Sequence, residues 1–246
     1  MMEFKIDKVS ETLSTNELLK KIADKEPVPE GYTIIAVSQT NGHGQIGAFW
    51  ESQPGQNLTF SLLLRPDFLK ADQMFLLSKT ISLAIIDYLN SFGIEFKIKW
   101  PNDIYHDDKK ICGILIENQL MGSNITYSVI GIGLNINQEA FISDAPNPIS
   151  LFNILGEKLD LTKELPRLLD QIAVWYRILA EGWTEKINDA YFANLYRTGK
   201  PYKFRTPDGN EFYGKIESVE PTGGIHIVDE LGNDRKFLFK EVEFMH

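Results

Sequence analysis

Residues 99–117 read Lys-Trp-Pro-Asn-Asp-Ile-Tyr-His-Asp-Asp-Lys-Lys-Ile-Cys-Gly-Ile-Leu-Ile-Glu, and no other stretch constrains the fold as much. Phe96, Lys97, Ile98 and Lys99 alternate apolar and basic, the period of a half-buried strand. Pro101 removes a backbone donor and fixes φ, and Asn102 and Asp103 are turn residues that hydrogen-bond their own backbone. Asp107, Asp108 and Lys109 form a polar tip, and the mostly apolar run from Ile111 to Ile116 returns as a strand. A solvated hairpin tip accounts for any one of these charges taken singly. It does not account for Lys99, Asn102, Asp103 and Lys110 gathered at two strand ends, where a rigid sheet can aim them at one point.

With 246 residues, the chain has room for one large domain, or one plus a small appendage. Its 43% hydrophobic and 24% charged residues are those of an ordinary soluble globular protein. A net charge of −9 argues against nucleic acid as a general partner, because phosphate backbones need a basic face. It leaves room for a small anion held by a few local cations. One cysteine excludes an internal disulfide and fits a reducing compartment, so the expected location is cytoplasmic. No run has the length and apolarity of a signal peptide core or a membrane span. The four histidines and Cys112 are too scattered for a structural zinc site.

Along the chain, Ser14, Thr15 and Asn16 are good helix N-caps ahead of a Leu18, Leu19, Ile22 stripe. The β-branched run from Tyr32 to Val37 predicts a buried strand. It feeds a segment holding Gln39, Gly42, His43, Gly44, Gln45, Gly47 and Trp50. Glycines there relax the backbone and expose N–H groups able to wrap an anion. Their spacing is neither a P-loop nor a dinucleotide fingerprint. Residues 57–64 predict a core strand. Residues 67–90 turn to helical period, with Met74, Leu77, Ile81, Ile85 and Leu89 on a single apolar face. Residues 124–131 predict a strand, followed by Gly133 and Asn135, where glycines permit close approach of a ligand or backbone. Amphipathic helices follow through residue 195. Beyond Gly199 the turns Pro207-Asp208-Gly209, Thr222-Gly223-Gly224 and Leu231-Gly232-Asn233-Asp234 separate short strands, a small barrel that must lean on the larger domain.

Four motifs therefore stand in a fixed order: Ser14-Thr15-Asn16, the loop from Gln39 to Trp50, residues 99–117, and Gly131 to Asn135. Together they resemble the biotin protein ligases. The resemblance implies an α/β (α+β) fold. Residues 1–197 would form a mixed-sheet catalytic domain of class II synthetase type, and residues 198–246 a small C-terminal SH3-like β-barrel. It implies a single-function form without an N-terminal DNA-binding domain. The implied activity joins biotin to ATP as biotinyl-5′-AMP and then passes biotin to a lysine of a biotin carboxyl carrier domain. Mg²⁺ is the implied metal, with Asp103 as its ligand. Biotin would meet Ser14, Thr15, Asn16, Gln39, Gly42, His43, Lys110, Gly113 and Gly131. The nucleotide would meet Gly42, His43, Gly44, Gln45, Trp50, Lys99, Asn102, Asp103 and Asn135. Lys110 is the implied catalytic group. The pattern departs from many members at the loop, where His43, Gln45 and Ile46 stand in place of arginines. Further readings are a lipoate or octanoate ligase or transferase of the same fold, and a catalytically silent biotin or nucleotide sensor. A homodimer is compatible with all of them.

Overall fold

The computed structural model describes residues 2–42, 44, 49–143 and 147–245. In chain order the elements are β1 (Lys5–Thr12), α1 (Thr15–Ala23), β2 (Tyr32–Gln39), β3 (Leu58–Leu64), α2 (Phe75–Asn90), β4 (Lys97–Lys99), β5 (Asp103–His106), β6 (Lys109–Met121) and β7 (Asn124–Leu134). Then come α3 (Leu151–Leu155), α4 (Leu161–Ala180) and α5 (Thr184–Ala193). The last are β8 (Tyr202–Arg205), β9 (Glu211–Val219), β10 (Ile225–Asp229), β11 (Asp234–Phe237) and β12 (Glu243–Phe244).

The first seven strands form one mixed sheet in the order β1-β2-β3-β7-β6-β5-β4, with β1 and β2 parallel and every other pair antiparallel. Alternation along each strand sorts side chains to two faces. On β3, Phe60, Leu62 and Leu64 join the main core with α2 and α4, whereas Leu63 joins a smaller cluster with Leu19 of α1. The expected single apolar face on α2 is wider in the structure. Leu76 to Ile86 are all buried, while Met74 is exposed. The helix is enclosed by the sheet on one side and by α4 and α5 on the other, so no polar face is required of it.

The last five strands form an antiparallel sheet in the order β11-β10-β9-β8-β12. They match the strand content expected for the tail, although among the described residues no ladder joins β11 to β12 into a closed barrel. This sheet shares its core with the first: Phe204, Ile216 and Ile225 belong to the same cluster as Ile98 and Trp100. Trp100 Nε1 donates to the Gly223 carbonyl at 2.9 Å, and Lys79 Nζ donates to the Val219 carbonyl at 2.8 Å. Gly223 has φ of 99° and lies against the Phe75 ring, a turn only glycine adopts without strain.

Candidate active site

One register row crosses five strands. Lys99 of β4 pairs with Asp103 of β5, Asp103 with Gly113 of β6, Gly113 with Gly133 of β7, and Gly133 with Thr59 of β3. Paired residues share a face, so the row is a strip with charge at one end, glycine in the middle and a hydroxyl at the other end. The next row on the same face brings Gly131 beside Leu115 and Ser61.

Lys110 reaches that face only because β6 is irregular. It lies three positions before Gly113, and in a regular strand an odd spacing points two side chains to opposite faces. The β5–β6 register shifts at Ile104 and Tyr105, so that Ile104 opposes Cys112 while Tyr105 opposes Lys110. Ile111 and Cys112 are both fully buried. This bulge absorbs the extra residue and returns Lys110 to the glycine face. Its backbone is held on the far side as well: Lys110 N–H donates to the Asn147 carbonyl at 2.8 Å, and Ile149 N–H donates to the Lys110 carbonyl at 3.0 Å. Lys110 Nζ is then 2.8 Å from Asp103 Oδ2. Such a half-buried pair stabilises a fold by only about 1 kcal/mol, so its main consequence is to aim the ammonium.

The glycines make a floor. A Cβ on Gly133 would strike the Trp50 indole, and one on Gly113 would stand 3.0 Å from it. Trp50 lies on this floor with Lys110 Nζ 5.6 Å from its ring centre, a cation–π distance. The loop that delivers Trp50 is closed at its base, where Trp50 N–H donates to the Gly42 carbonyl at 2.9 Å. Gly42 packs so tightly against Gln39 and the Trp50 backbone that a side chain there would collide. Directly after Trp50, the Glu51 carboxylate accepts from the backbone of Ile142 and Ser143 and from Gln138 Nε2. Burial opposes that charge, yet these donors prevail and hold the Glu51 carboxyl below its ordinary range.

At the other end of the strip the side chains that line the cavity, Ser14, Thr15, Asn16 and Gln39, are polar and neutral. Ser14 is the N-cap of α1 by position, but its side chain makes no capping bond. Thr15 N–H donates to Gln39 Oε1 at 2.9 Å. Asn16 Nδ2 donates to Glu117 Oε2 at 2.9 Å and to the Leu115 carbonyl at 3.3 Å. Asn16 also lies over Gly131, where any side chain would displace it. Lys20 pairs with Glu117 at 2.8 Å.

Both ends open into one cavity of about 620 Å³, within the roughly 300–1,000 Å³ of small-molecule sites. Among the described residues its lining carries four basic side chains, Lys99, Lys110, Arg205 and Lys240, against the two acidic ones Asp103 and Glu243. On a chain of net charge −9, that local excess marks an anion site. Burial lowers the Lys99 pKa, with Asp103 acting in the opposite direction. Lys99 Nζ donates to the Tyr105 hydroxyl at 3.3 Å and sits 4.7 Å from that ring centre. Trp50 Nε1 and Asn135 Oδ1 are buried and have no partner among the described residues. Buried polar atoms are rarely left so, and since Trp50 lines the cavity its indole N–H is a donor to spare there. Among the described residues no group of three or more metal-binding side chains occurs. Asp103 alone suits a Mg²⁺ ion that arrives on phosphates, because such ions need one or two carboxylates and no protein cage.

Residues 9–135 match the Biotin/lipoate A/B protein ligase family. The chain belongs to that family. It is 33% identical over 230 residues to a Bifunctional ligase/repressor BirA of Bacillus spizizenii, covering 89% of this chain and 68% of the relative. It is 30% identical over 201 residues to a Biotin--[acetyl-CoA-carboxylase] ligase of Paracoccus denitrificans, covering 78% and 82%. It resembles in fold a biotin protein ligase from Aquifex aeolicus solved in complex with biotin and ATP. That match has a TM-score of 0.81 at 26% identity and covers 98% of each chain.

In this ligase fold the residues singled out in the sequence largely converge. Ser14, Thr15, Asn16, Gln39, Gly44 and Trp50 line the cavity, as do Lys99, Asn102, Asp103, Lys110, Gly113 and Gly131. Gly42 forms the loop base beside them. Asn135 is not among the cavity-lining residues; it is buried, with its Nδ2 donating to the Ile149 carbonyl at 3.0 Å. His43 and Gln45 lie outside the described residues. The motifs did not mark Ser61, which lies within 2.7 Å of Thr15 Oγ1, or Arg205 and Lys240, which the second sheet contributes. Ser61 carries a legible signal, since Thr59 and Ser61 are the polar alternates of an otherwise apolar strand. Arg205 and Lys240 carry none, because only the docking of the two sheets brings them to the cavity.

Proposed function

We propose that this chain activates biotin with ATP and transfers it to a lysine of a biotin carboxyl carrier domain. The supporting observation is the polarity of the cavity: a neutral hydrogen-bonding end joined by an apolar glycine floor to a cationic end. Biotin has the matching polarity, with an uncharged bicyclic head, an alkyl chain and a carboxylate. The head would lie at Ser14, Thr15, Asn16 and Gln39. The carboxylate and the nucleotide phosphates would meet Lys110 and Lys99. Trp50, Asn102 and Asn135 would border the nucleotide. Mg²⁺, held by the phosphates and Asp103, would offset charge on the departing pyrophosphate.

In the first step a carboxylate oxygen attacks the α-phosphorus, the bond to pyrophosphate breaks, and biotinyl-5′-AMP forms. Lys110 brings two mutually repelling anions together and neutralises charge as it spreads over the phosphoryl oxygens. Asp103 keeps that ammonium from folding out into water. In the second step the acceptor amine attacks the acyl carbon, AMP leaves with the bonding electrons, and the amine proton passes to solvent. Residues 1–197 and 198–246 would act as catalytic and accessory domains, in the reducing cytoplasm to which a lone buried Cys112 is suited.

Incubation with biotin, ATP, Mg²⁺ and a carrier domain tests the reading. A streptavidin-positive carrier, with pyrophosphate released only when biotin is present, is the expected result. Labelling by octanoate that biotin does not compete would transfer the assignment to the lipoate side of the family.

A further inference from the structure

The neutral end of the cavity contains a chain of hydrogen bonds whose direction is set outside it. Asn16 Nδ2 faces two groups that can only accept, the Glu117 carboxylate at 2.9 Å and the Leu115 carbonyl at 3.3 Å. The amide oxygen must therefore face the other way, toward Ser61 Oγ at 2.5 Å. Ser61 is fully buried and has one proton, which this short contact claims. Ser61 Oγ also stands 2.7 Å from Thr15 Oγ1, which in turn lies 3.2 Å from Gln39 Oε1, so Thr15 spends its one proton on one of these neighbours. Thr15 is left with lone pairs to present to the cavity. Gln39 Oε1 is occupied by Thr15 N–H, so Gln39 keeps its amide N–H groups as donors.

We propose that Glu117 is a positioning residue which, acting through Asn16 and Ser61, sets this end of the pocket to offer one acceptor and one donor. A head group with an N–H and a C=O side by side, a cyclic urea or amide, satisfies both. A dithiolane or a plain alkyl chain satisfies neither and leaves two polar groups unpaired, which a buried site penalises heavily. The Lys20 ion pair holds Glu117 from the solvent side. Glu117 is not among the described residues that line the cavity, and of the two acceptors facing Asn16 Nδ2 it is the nearer, at 2.9 Å against 3.3 Å for the Leu115 carbonyl; a glutamine there could present an N–H instead, and Asn16 could then turn over.

This inference rests on the biotin reading, and the experiment separates the two. Wild-type protein must first biotinylate a carrier domain; if it does not, the reading of function fails irrespective of Glu117. With activity in hand, KM for biotin, desthiobiotin and ATP is measured for Glu117→Gln, Ser61→Ala and the double variant. The expected outcome for each single variant is a rise of roughly tenfold in KM for biotin, as one buried hydrogen bond is worth. The rise is equal for desthiobiotin, which keeps the urea and lacks the sulfur, and KM for ATP stays within about twofold. The double variant shows no further rise, because both changes break one chain. Unchanged biotin KM, a parallel rise for ATP, or additive losses would each overturn the proposal.

Discussion

A single methyl group tests why Gly113 and Gly133 face each other across β6 and β7. The indole of Trp50 lies against both, and a Cβ on Gly133 has no space beneath it. Gly133→Ala should cost about 1–3 kcal/mol, the usual range for overpacking, read as a lower midpoint in urea denaturation. In a Trp50→Ala background the same substitution should cost almost nothing; an equal loss in both backgrounds would mean that the indole is not what the glycine accommodates. Residue types of this kind were legible in the sequence. Glycines within an apolar strand announce a close approach, and Lys99, Asn102, Asp103 and Lys110 announce a charged strand end. What approaches each glycine was not legible, because Trp50 comes from a loop and Asn16 from the first turn of α1, both far away in the chain.

At the scale of elements, the decisive feature is the bulge in β6. Its strand was expected from composition, but nothing in Ile111-Cys112 distinguishes a regular strand from one that carries two successive residues to the core. The bulge is fixed by tertiary pairing on both sides of Lys110, which no local pattern encodes. The same holds for the segment after the glycine loop. Glu51 reads as one more acidic loop residue, yet it gathers two backbone N–H groups and the Gln138 amide. Glu51→Ala leaves those donors without their carboxylate and should lower stability by about 1–3 kcal/mol. It should also raise KM for ATP, since Trp50 is the preceding residue in the chain. Unfolding and kinetics matching the wild type would show that the clamp is dispensable.

Taken whole, the molecule is two sheets on one continuous core, and the second sheet forms a wall of the cavity. The division in composition near Gly199 was visible in the sequence; the interface was not. The turn that carries Gly223 to Trp100 begins at Glu220, which binds His226 at 2.8 Å and Lys236 at 2.7 Å. Asp234 meets His226 from the other side at 2.9 Å. Hydrogen bonds to Glu220 and Asp234 raise the His226 pKa above its ordinary 6.5. A raised folded value means that protonation favours the folded state. The stabilisation is complete below about pH 6.5 and is lost as pH rises through the folded value. The melting-temperature difference between wild type and His226→Gln should therefore shrink from pH 6 to pH 9. A difference that stays constant or grows would contradict the arrangement.

In the proposed reaction a bulge-delivered ammonium brings a carboxylate and an α-phosphate together over the glycine floor. Single-turnover formation of biotinyl-5′-AMP from α-labelled ATP, compared between wild type and Lys110→Ala, tests it most directly. The expected rate for Lys110→Ala is lower by about 10²–10³-fold or more, with the melting temperature unchanged within about 2 °C because the side chain is partly exposed and its ion pair is worth little. Adenylate formation by Lys110→Ala at the wild-type rate would contradict it.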